Sequence, residues 1–146
     1  MAAALEAIAR ALSWNPLVVD TLEDTVARLP RSDSVVVLSH HGGVDGPALA
    51  AAVRSGTTYV GAMGSRKTQA RRREWMLENG TPEELADSVR GPAGLDVGAN
   101  TPAEIALSIA AEIVAVQRGV TGESLSQRSG PIHPDLPPGT AECPAG

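Results

Sequence analysis

The residues with the clearest chemical potential lie in one stretch, 59–67, where an apolar run gives way to glycine, serine and two bases. The β-branched and aromatic run 57–60 predicts a buried strand. Gly61 and Gly64 follow it, and glycine lets the backbone turn sharply and allows a ligand to approach closely. The pattern therefore predicts a tight turn at the end of a strand.

The basic segment after this turn predicts a helix over residues 66–79 that stops at Gly80. The first amides of a helix lack internal acceptors and carry the positive end of its dipole. A strand-to-helix turn of this kind binds phosphate or another anion, and a bound anion would offset the unfavourable placement of Arg66 and Lys67. The alternative is a tight turn with solvated bases. The candidate anion-binding residues are Gly61, Gly64, Ser65 and Arg66.

Two further candidates end predicted strands. Asp20 closes the apolar run 17–20, where an acidic residue of a dinucleotide-binding unit takes the ribose hydroxyls; a strand-terminal cap is the alternative. His40 follows the apolar run 34–39, at the carboxyl edge where α/β sheets bind ligands. We expect His40 to line the cleft.

A metal site on His40 and His41 would need a third ligand, which Asp45 or Asp96 supplies only if the fold brings it to the histidines. We therefore predict no metal site. Asp45 itself has the position of a helix N-cap, because a helical segment closed by Gly56 follows it.

Two segments have the spacing of a capping box, Thr81 with Glu84 and Thr101 with Glu104. The second opens a predicted helix that ends at Gly119. Its core stripe comprises Ile105, Ile109, Ile113 and Val116. We interpret the run 71–73, three arginines, as a solvated helix face, with a docking surface for an acidic partner as the alternative.

The composition excludes several classes of protein. The net charge of −5 gives no general basis for nucleic-acid binding. The single cysteine, Cys143, excludes a disulfide framework and a Cys metal site, which fits a reducing cytoplasm. No apolar stretch reaches the length of about 20 residues that a membrane crossing needs, and no signal peptide is recognisable.

Strand and helix patterns alternate along residues 1–119, which predicts one α/β domain with a parallel sheet. Residues 120–146 are rich in Gly, Pro, Ser and Thr without a period, and they predict a flexible tail. The chain opens on a helix, whereas a doubly wound sheet opens on a strand followed by a glycine-rich turn. The predicted sheet therefore lacks its first strand.

These motifs, in this order, resemble the C-terminal, Rossmann-like domain of the XdhC/CoxI family, over residues 2–119. The segments that carry the resemblance are 35–40, 45–49, 59–66, 94–99 and 101–113. Members are accessory factors for molybdenum hydroxylases such as xanthine dehydrogenase and carbon monoxide dehydrogenase. The resemblance implies a three-layer Rossmann-like fold and a role in maturing or inserting the molybdenum cofactor. It also implies a hydroxylase apoenzyme as partner, and either an N-terminal partner domain or a homo-oligomer.

In that context the phosphate of molybdopterin matches the anion-binding turn. Asp96 and Gly98 lie in a glycine-rich segment, 91–100, where a carboxylate orients either a pterin nitrogen or the loop's own amides. Our interpretation is a non-catalytic accessory protein, with molybdenum cofactor as ligand. The alternatives are a fragment of an NAD(P)-dependent oxidoreductase, which requires a glycine-rich phosphate turn, and an interaction module with no small-molecule ligand.

Overall fold

The fold was described from a computed structural model, which covers residues 1–39, 42–130 and 132. In chain order the helices and strands are α1 Ala2–Ala11, α2 Leu22–Arg28, β1 Ser34–Val37, α3 Gly42–Arg54, β2 Tyr59–Ala62, α4 Arg66–Glu78, α5 Glu83–Asp87 and α6 Pro102–Gln117. Single turns of 3-10 helix lie at Leu29–Arg31 and Leu125–Gln127. This order confirms the α/β prediction.

The sheet is small and parallel. β1 and β2 pair with Ser34 opposite Tyr59 and Val37 opposite Ala62. On the other side of β2, Arg90 forms a single parallel bridge to Gly61, which marks the place of a third strand without extending it. The carboxyl ends of β1 and β2 therefore meet at one edge, beside the start of the loop that follows Arg90.

Helices cover both faces of this sheet, so the architecture is the predicted Rossmann-like three-layer arrangement around two strands. One core places Val37, Val60 and Ala62 against α3 and the inner faces of α4 and α5. The other places Tyr59 against Ile109 and Ile113 of α6, with α1 packed on the outside. The alternation follows from the period of two along a strand, which sends neighbouring side chains to opposite faces.

The capping box at the start of α6 is confirmed. The Thr101 hydroxyl accepts a hydrogen bond from the amide of Glu104 at 3.3 Å, and the Glu104 carboxylate accepts from the amides of Asn100 and Thr101 at 2.8 and 2.7 Å. These bonds to the ionised form hold the pKa of Glu104 below its usual range. The predicted core stripe of α6 is also confirmed, since Ile109 and Ile113 are buried.

The capping box predicted at Thr81 is wrong. α5 begins at Glu83 with Pro82 at the N-cap and no side-chain cap. Thr81 instead closes the end of α4: its amide donates to Met76 O at 2.8 Å, and its buried side chain accepts from Arg54 at 3.4 Å. A threonine that is committed to the preceding helix is not available to cap the next one.

The strand predicted at 17–20 is also wrong. The segment has no regular secondary structure and no strand partner in the part of the chain that the structure describes, and Leu17 and Val18 are 60% and 54% exposed. A strand requires a neighbour for its backbone groups, and the sheet offers none here.

Most of the predicted tail, 131 and 133–146, lies outside the described residues. The described part adds only the 3-10 turn to the domain. Over the ranges that the structure describes, the helices are too short or too polar to cross a membrane.

Candidate anion site at the carboxyl edge of the sheet

The turn predicted as an anion site joins β2 to α4. β2 extends to Ala62, two residues beyond the predicted strand, so the turn comprises Met63, Gly64 and Ser65. Gly64 has φ +123°, a conformation that side chains other than glycine's rarely adopt. The amide of Met63 donates to Val37 O at 2.9 Å, which anchors the turn to the end of β1.

The turn leads into the N-terminus of α4, whose first amides have no acceptor within the helix. Ser65 caps α4, and its hydroxyl accepts from the amide of Thr68 at 3.2 Å. Among residues 1–39, 42–130 and 132, none accepts a hydrogen bond from the N–H groups of Gly64, Ser65, Arg66 or Lys67. Unpaired donors at a helix N-terminus are typical of anion-binding sites, so the geometry agrees with the predicted site without testing it.

The charges of α4 run against its dipole. The first turn holds Arg66 and Lys67 and no acid, while Glu74 and Glu78 lie towards the C-terminal end, whose last turn holds no base. Each placement is unfavourable by a few tenths of a kcal/mol or more, to about 1 kcal/mol. Arg66 is exposed at the first position of the helix. Unfavourable local choices of this kind are expected where function requires them.

Gly61 differs from the other predicted residues of the turn, because it lies inside β2. Its backbone pairs with Val36 of β1 and with Arg90 on the other side. A Cβ here would lie 2.7 Å from the Tyr59 ring and hydroxyl, so the glycine makes room for that side chain.

A buried ion pair lies directly beneath the turn, and the sequence interpretation missed it. Arg72 and Asp45 are 6% and 2% exposed, and the Arg72 guanidinium reaches the carboxylate at 2.5 Å. Arg72 also donates to Ser39 O at 3.0 Å and to Met63 O at 2.5 Å, and the Ser39 hydroxyl donates to Asp45. The pair thus ties the segments beyond both strands to α3 and α4.

Two predictions are corrected by this pair. The arginine run 71–73 is not a uniformly solvated face, because Arg72 points into the protein, whereas Arg73 pairs with Glu83 and Asp87 at the surface. Asp45 is not an N-cap: it lies in the first turn of α3, which begins at Gly42. The signal for Arg72 was its helical spacing from the buried Met76 four residues on.

The glycine-rich segment 91–100 forms an irregular loop, as predicted, and it starts at the same edge of the sheet. Ala93 N donates to Ala62 O at 3.0 Å, and Gly94 N donates to the Glu112 carboxylate at 2.8 Å. Asp96 and Gly98 lie further along this loop and are exposed. The loop is therefore anchored beside the turn, with its two candidate residues on the surface.

Of the remaining candidates only Asp20 lies among the described residues, and no contact joins it to the turn there. Asp20 is exposed in the unpaired segment before α2. His40 and His41 lie outside the described residues. Within the described ranges, no group of three or more His, Cys, Asp or Glu side chains is arranged to hold a metal ion. A shallow pocket of about 270 Å³ lies at the opposite, amino edge of the sheet, lined by residues 29–33 and 55–58.

A model of the XdhC Rossmann domain matches residues 1–113 of the chain. The chain belongs to this family. The matched range contains the turn, the Arg72–Asp45 pair and the loop anchor Glu112, so each of these features is part of the XdhC Rossmann domain itself.

Two curated proteins of Escherichia coli K12 and one solved structure are similar to this XdhC domain. An uncharacterized protein, YqeB, is 30% identical over 71% of the chain and 18% of its own length. The molybdenum cofactor insertion chaperone PaoD is 31% identical over 62% of the chain and 29% of its own length. A crystal structure described as a xanthine dehydrogenase from Bacillus halodurans is 26% identical with a TM-score of 0.55, over 79% of this chain and 32% of that one. The XdhC domain thus spans less than a third of each of these relatives.

Tyr59 of the XdhC domain offers a spectroscopic test of the second core. Its hydroxyl donates to Glu112 at 2.6 Å, and burial, then this bond to a carboxylate, raises the pKa of Tyr59 well above its usual value of about 10. Tyr59 is the only tyrosine in the chain. We expect the absorbance at 295 nm to show no phenolate at pH 10–11 until the protein unfolds.

The raised pKa of Tyr59 also makes the stability of the domain depend on pH. The folded state holds this proton more tightly than the unfolded state, so the contribution to stability is complete below pH 10 and is lost as the pH rises above it. Free tyrosine ionisation near pH 10 in a protein with native circular dichroism would contradict the burial of Tyr59.

Proposed function

We propose that this domain serves the maturation of molybdenum hydroxylases by binding the phosphate of the molybdenum cofactor at residues 63–67, the turn and the start of α4. The observation that carries the proposal is the row of four successive amides without an acceptor among the described residues. The similarity to a molybdenum cofactor insertion chaperone supports the choice of ligand.

The residues present fit a phosphate group. The amides of Gly64 to Lys67 supply donors, the dipole of α4 supplies a positive field, and Arg66 and Lys67 supply exposed positive charges beside them. A pterin head group would extend from the turn towards the loop with Asp96 and Gly98, which starts at the same edge.

The domain's part in this function is to hold and present. The bound cofactor would supply the molybdenum chemistry of the enzyme that receives it, and the proposal assigns no catalytic step to this chain. The receiving partner would be a hydroxylase apoenzyme. An accessory domain needs an accessible ligand, and the turn meets that requirement because Ser65, Arg66 and Lys67 are all exposed.

Replacing Arg66 by alanine is expected to weaken binding of isolated molybdenum cofactor about fivefold, since an exposed ion pair contributes up to about 1 kcal/mol. The loss should shrink as salt is raised, because screening removes surface electrostatics first. Binding is measured by quenching of protein fluorescence under anaerobic conditions.

The matched control is Arg31→Ala, which removes an exposed arginine at the opposite, amino edge of the sheet. The control variant should bind as the native protein does. Equal affinity of the Arg66 variant and the native protein, or an equal loss in both variants, would remove the turn as the binding site. Retention of the apoenzyme on immobilised domain without any cofactor binding would favour a pure interaction module.

A further inference from the structure

Two side chains of α4, those of Gln69 and Arg72, donate hydrogen bonds to the backbone carbonyls at the end of β2 and in the turn. Arg72 Nη1 donates to Met63 O at 2.5 Å. Gln69 Nε2 donates to Ala62 O at 3.0 Å and, over a longer distance of 3.4 Å, to Gly64 O. Arg72 Nη1 also donates to Gln69 Oε1 at 3.1 Å, which fixes the side-chain amide with its nitrogen towards the turn.

A hydrogen bond to the C=O of a peptide group also fixes the direction of the N–H in the same peptide group. Met63 C=O and Gly64 N–H belong to one peptide group, and Gly64 C=O and Ser65 N–H belong to the next. Both peptide bonds are trans, and in a planar trans peptide the C=O and the N–H point in opposite directions. Because both carbonyls are held from the protein side by α4, both N–H groups point away from it.

Two successive N–H groups on the same side form a concave anion-binding arrangement. The left-handed φ of +123° at Gly64 permits it. A Cβ at Gly64 would lie at ordinary contact distance, 3.5 Å from Arg72 Nη1 and 3.4 Å from Thr68. A side chain at this position would therefore be disfavoured by the positive φ and not by lack of space.

We infer that Gln69 and Arg72 are positioning residues that aim the N–H groups of Gly64 and Ser65 outward, and so set the anion affinity of the turn without touching the anion. The functional part of this inference rests on the proposed function. The geometric part does not, because the direction of the two N–H bonds is a property of the protein alone.

The hydrogen bonds of the buried Arg72–Asp45 pair are better explained by the backbone geometry that they fix than by net stabilisation. A buried ion pair contributes little net stability compared with well-packed apolar residues of similar size, and Arg72 Nε has no hydrogen-bond partner among the described residues. The apolar alternative would leave the carbonyls of Met63 and Ser39 without these donors. Precise support from surrounding groups is what a binding site requires of the residues behind it.

The test uses Gln69→Leu, which keeps the approximate size of the side chain and removes the amide, and Gln69→Glu, which keeps the acceptor for Arg72 and removes the donor to Ala62 O and Gly64 O. The matched control is Gln117→Leu at the exposed end of α6. Residual dipolar couplings of the N–H bonds are measured on the ligand-free, ¹⁵N-labelled full chain. Each variant is then titrated with inorganic phosphate while the amide shifts are followed.

We expect the couplings of Gly64 and Ser65 to change in both Gln69 variants while those within β1 and β2 stay as in the native protein. The phosphate dissociation constant should rise about tenfold, which is the lower end for lost hydrogen bonds to a charged group. The Gln117 control should match the native protein in both measurements.

Unchanged couplings at Gly64 and Ser65 in both Gln69 variants would overturn the positioning role, whatever the titration shows. Changed couplings together with unchanged phosphate affinity would overturn its link to anion binding. If the native protein shows no phosphate-dependent shift at Gly64 while the couplings still respond to the Gln69 variants, the proposed function fails and the positioning role stands.

Discussion

Replacing Asp45 by asparagine is expected to lower the free energy of unfolding by about 3–5 kcal/mol, because it leaves the buried charge of Arg72 without its counter-ion. That loss is a large part of the about 5–15 kcal/mol by which such domains are stable. Denaturation by urea, followed by circular dichroism, measures it.

The matched control is Asp87→Asn, which breaks an ion pair with Arg73 at the surface. That change should cost much less than Asp45→Asn, because exposed ion pairs are screened by solvent and contribute little to stability. The double variant Asp45→Leu with Arg72→Met should recover part of the stability, because it removes the uncompensated charge but still leaves the carbonyls of Met63 and Ser39 without the Arg72 donors. Equal losses for Asp45→Asn and Asp87→Asn would show that the Arg72 pair is not buried in solution.

Replacing Gly94 by alanine is expected to have the next largest effect, a loss of about 2–4 kcal/mol. Gly94 has φ +112°, and a Cβ there would lie 2.4 Å from Ser108 Oγ and 3.3 Å from the amide of Ile109. Backbone strain contributes about 1–2 kcal/mol, and the forced contact with α6 adds about 1–2 kcal/mol, in the lower part of the usual range for overpacking. Urea denaturation again gives the measurement.

Gly98→Ala is the control for Gly94→Ala. Gly98 also has a positive φ, of +70°, but nothing lies within 4 Å of the position of its Cβ. The Gly98→Ala substitution should therefore lower the free energy of unfolding only by the cost of the left-handed backbone conformation, about 1 kcal/mol. If the two substitutions cost the same, the loop is not packed against α6 as described.

The parts of the fold that depend on neighbouring residues in the sequence were predictable. The capping box of Thr101 and Glu104 closes within four residues, so its spacing alone specifies it. Ser65, which lies in the turn predicted before the basic helix, is the N-cap of α4, a contact that also closes within four residues. The alternation of strands and helices and the turn between β2 and α4 follow from such local patterns.

The parts of the fold that depend on residues distant in the sequence could not be predicted in this way. The run 17–20 has a strand's composition, but only a pairing neighbour makes a strand, and the sequence pattern cannot supply one. Thr81 has the spacing of a capping box to Glu84, yet its amide donates a hydrogen bond to Met76 O at the end of α4. Three adjacent arginines look alike in sequence, and only the packing of α4 against α3 decides that Arg72 is buried.

The candidate site divides in the same way. Its outer part, the turn and Arg66, was predicted from spacing, whereas its support from Gln69 and Arg72 joins residues up to 33 positions apart and required the structure. Sequence reasoning finds donors that a ligand would meet. It does not find the groups that hold those donors in place.

The two indole rings of the chain belong to different layers, Trp75 to the core shared with α3 and Trp14 to the core shared with α6. Replacing either ring by phenylalanine leaves a fluorophore that reports on one side of the sheet alone. Emission from the two single-tryptophan proteins would therefore reveal whether the helical layers melt together or in succession, a distinction that a signal averaged over the whole backbone conceals.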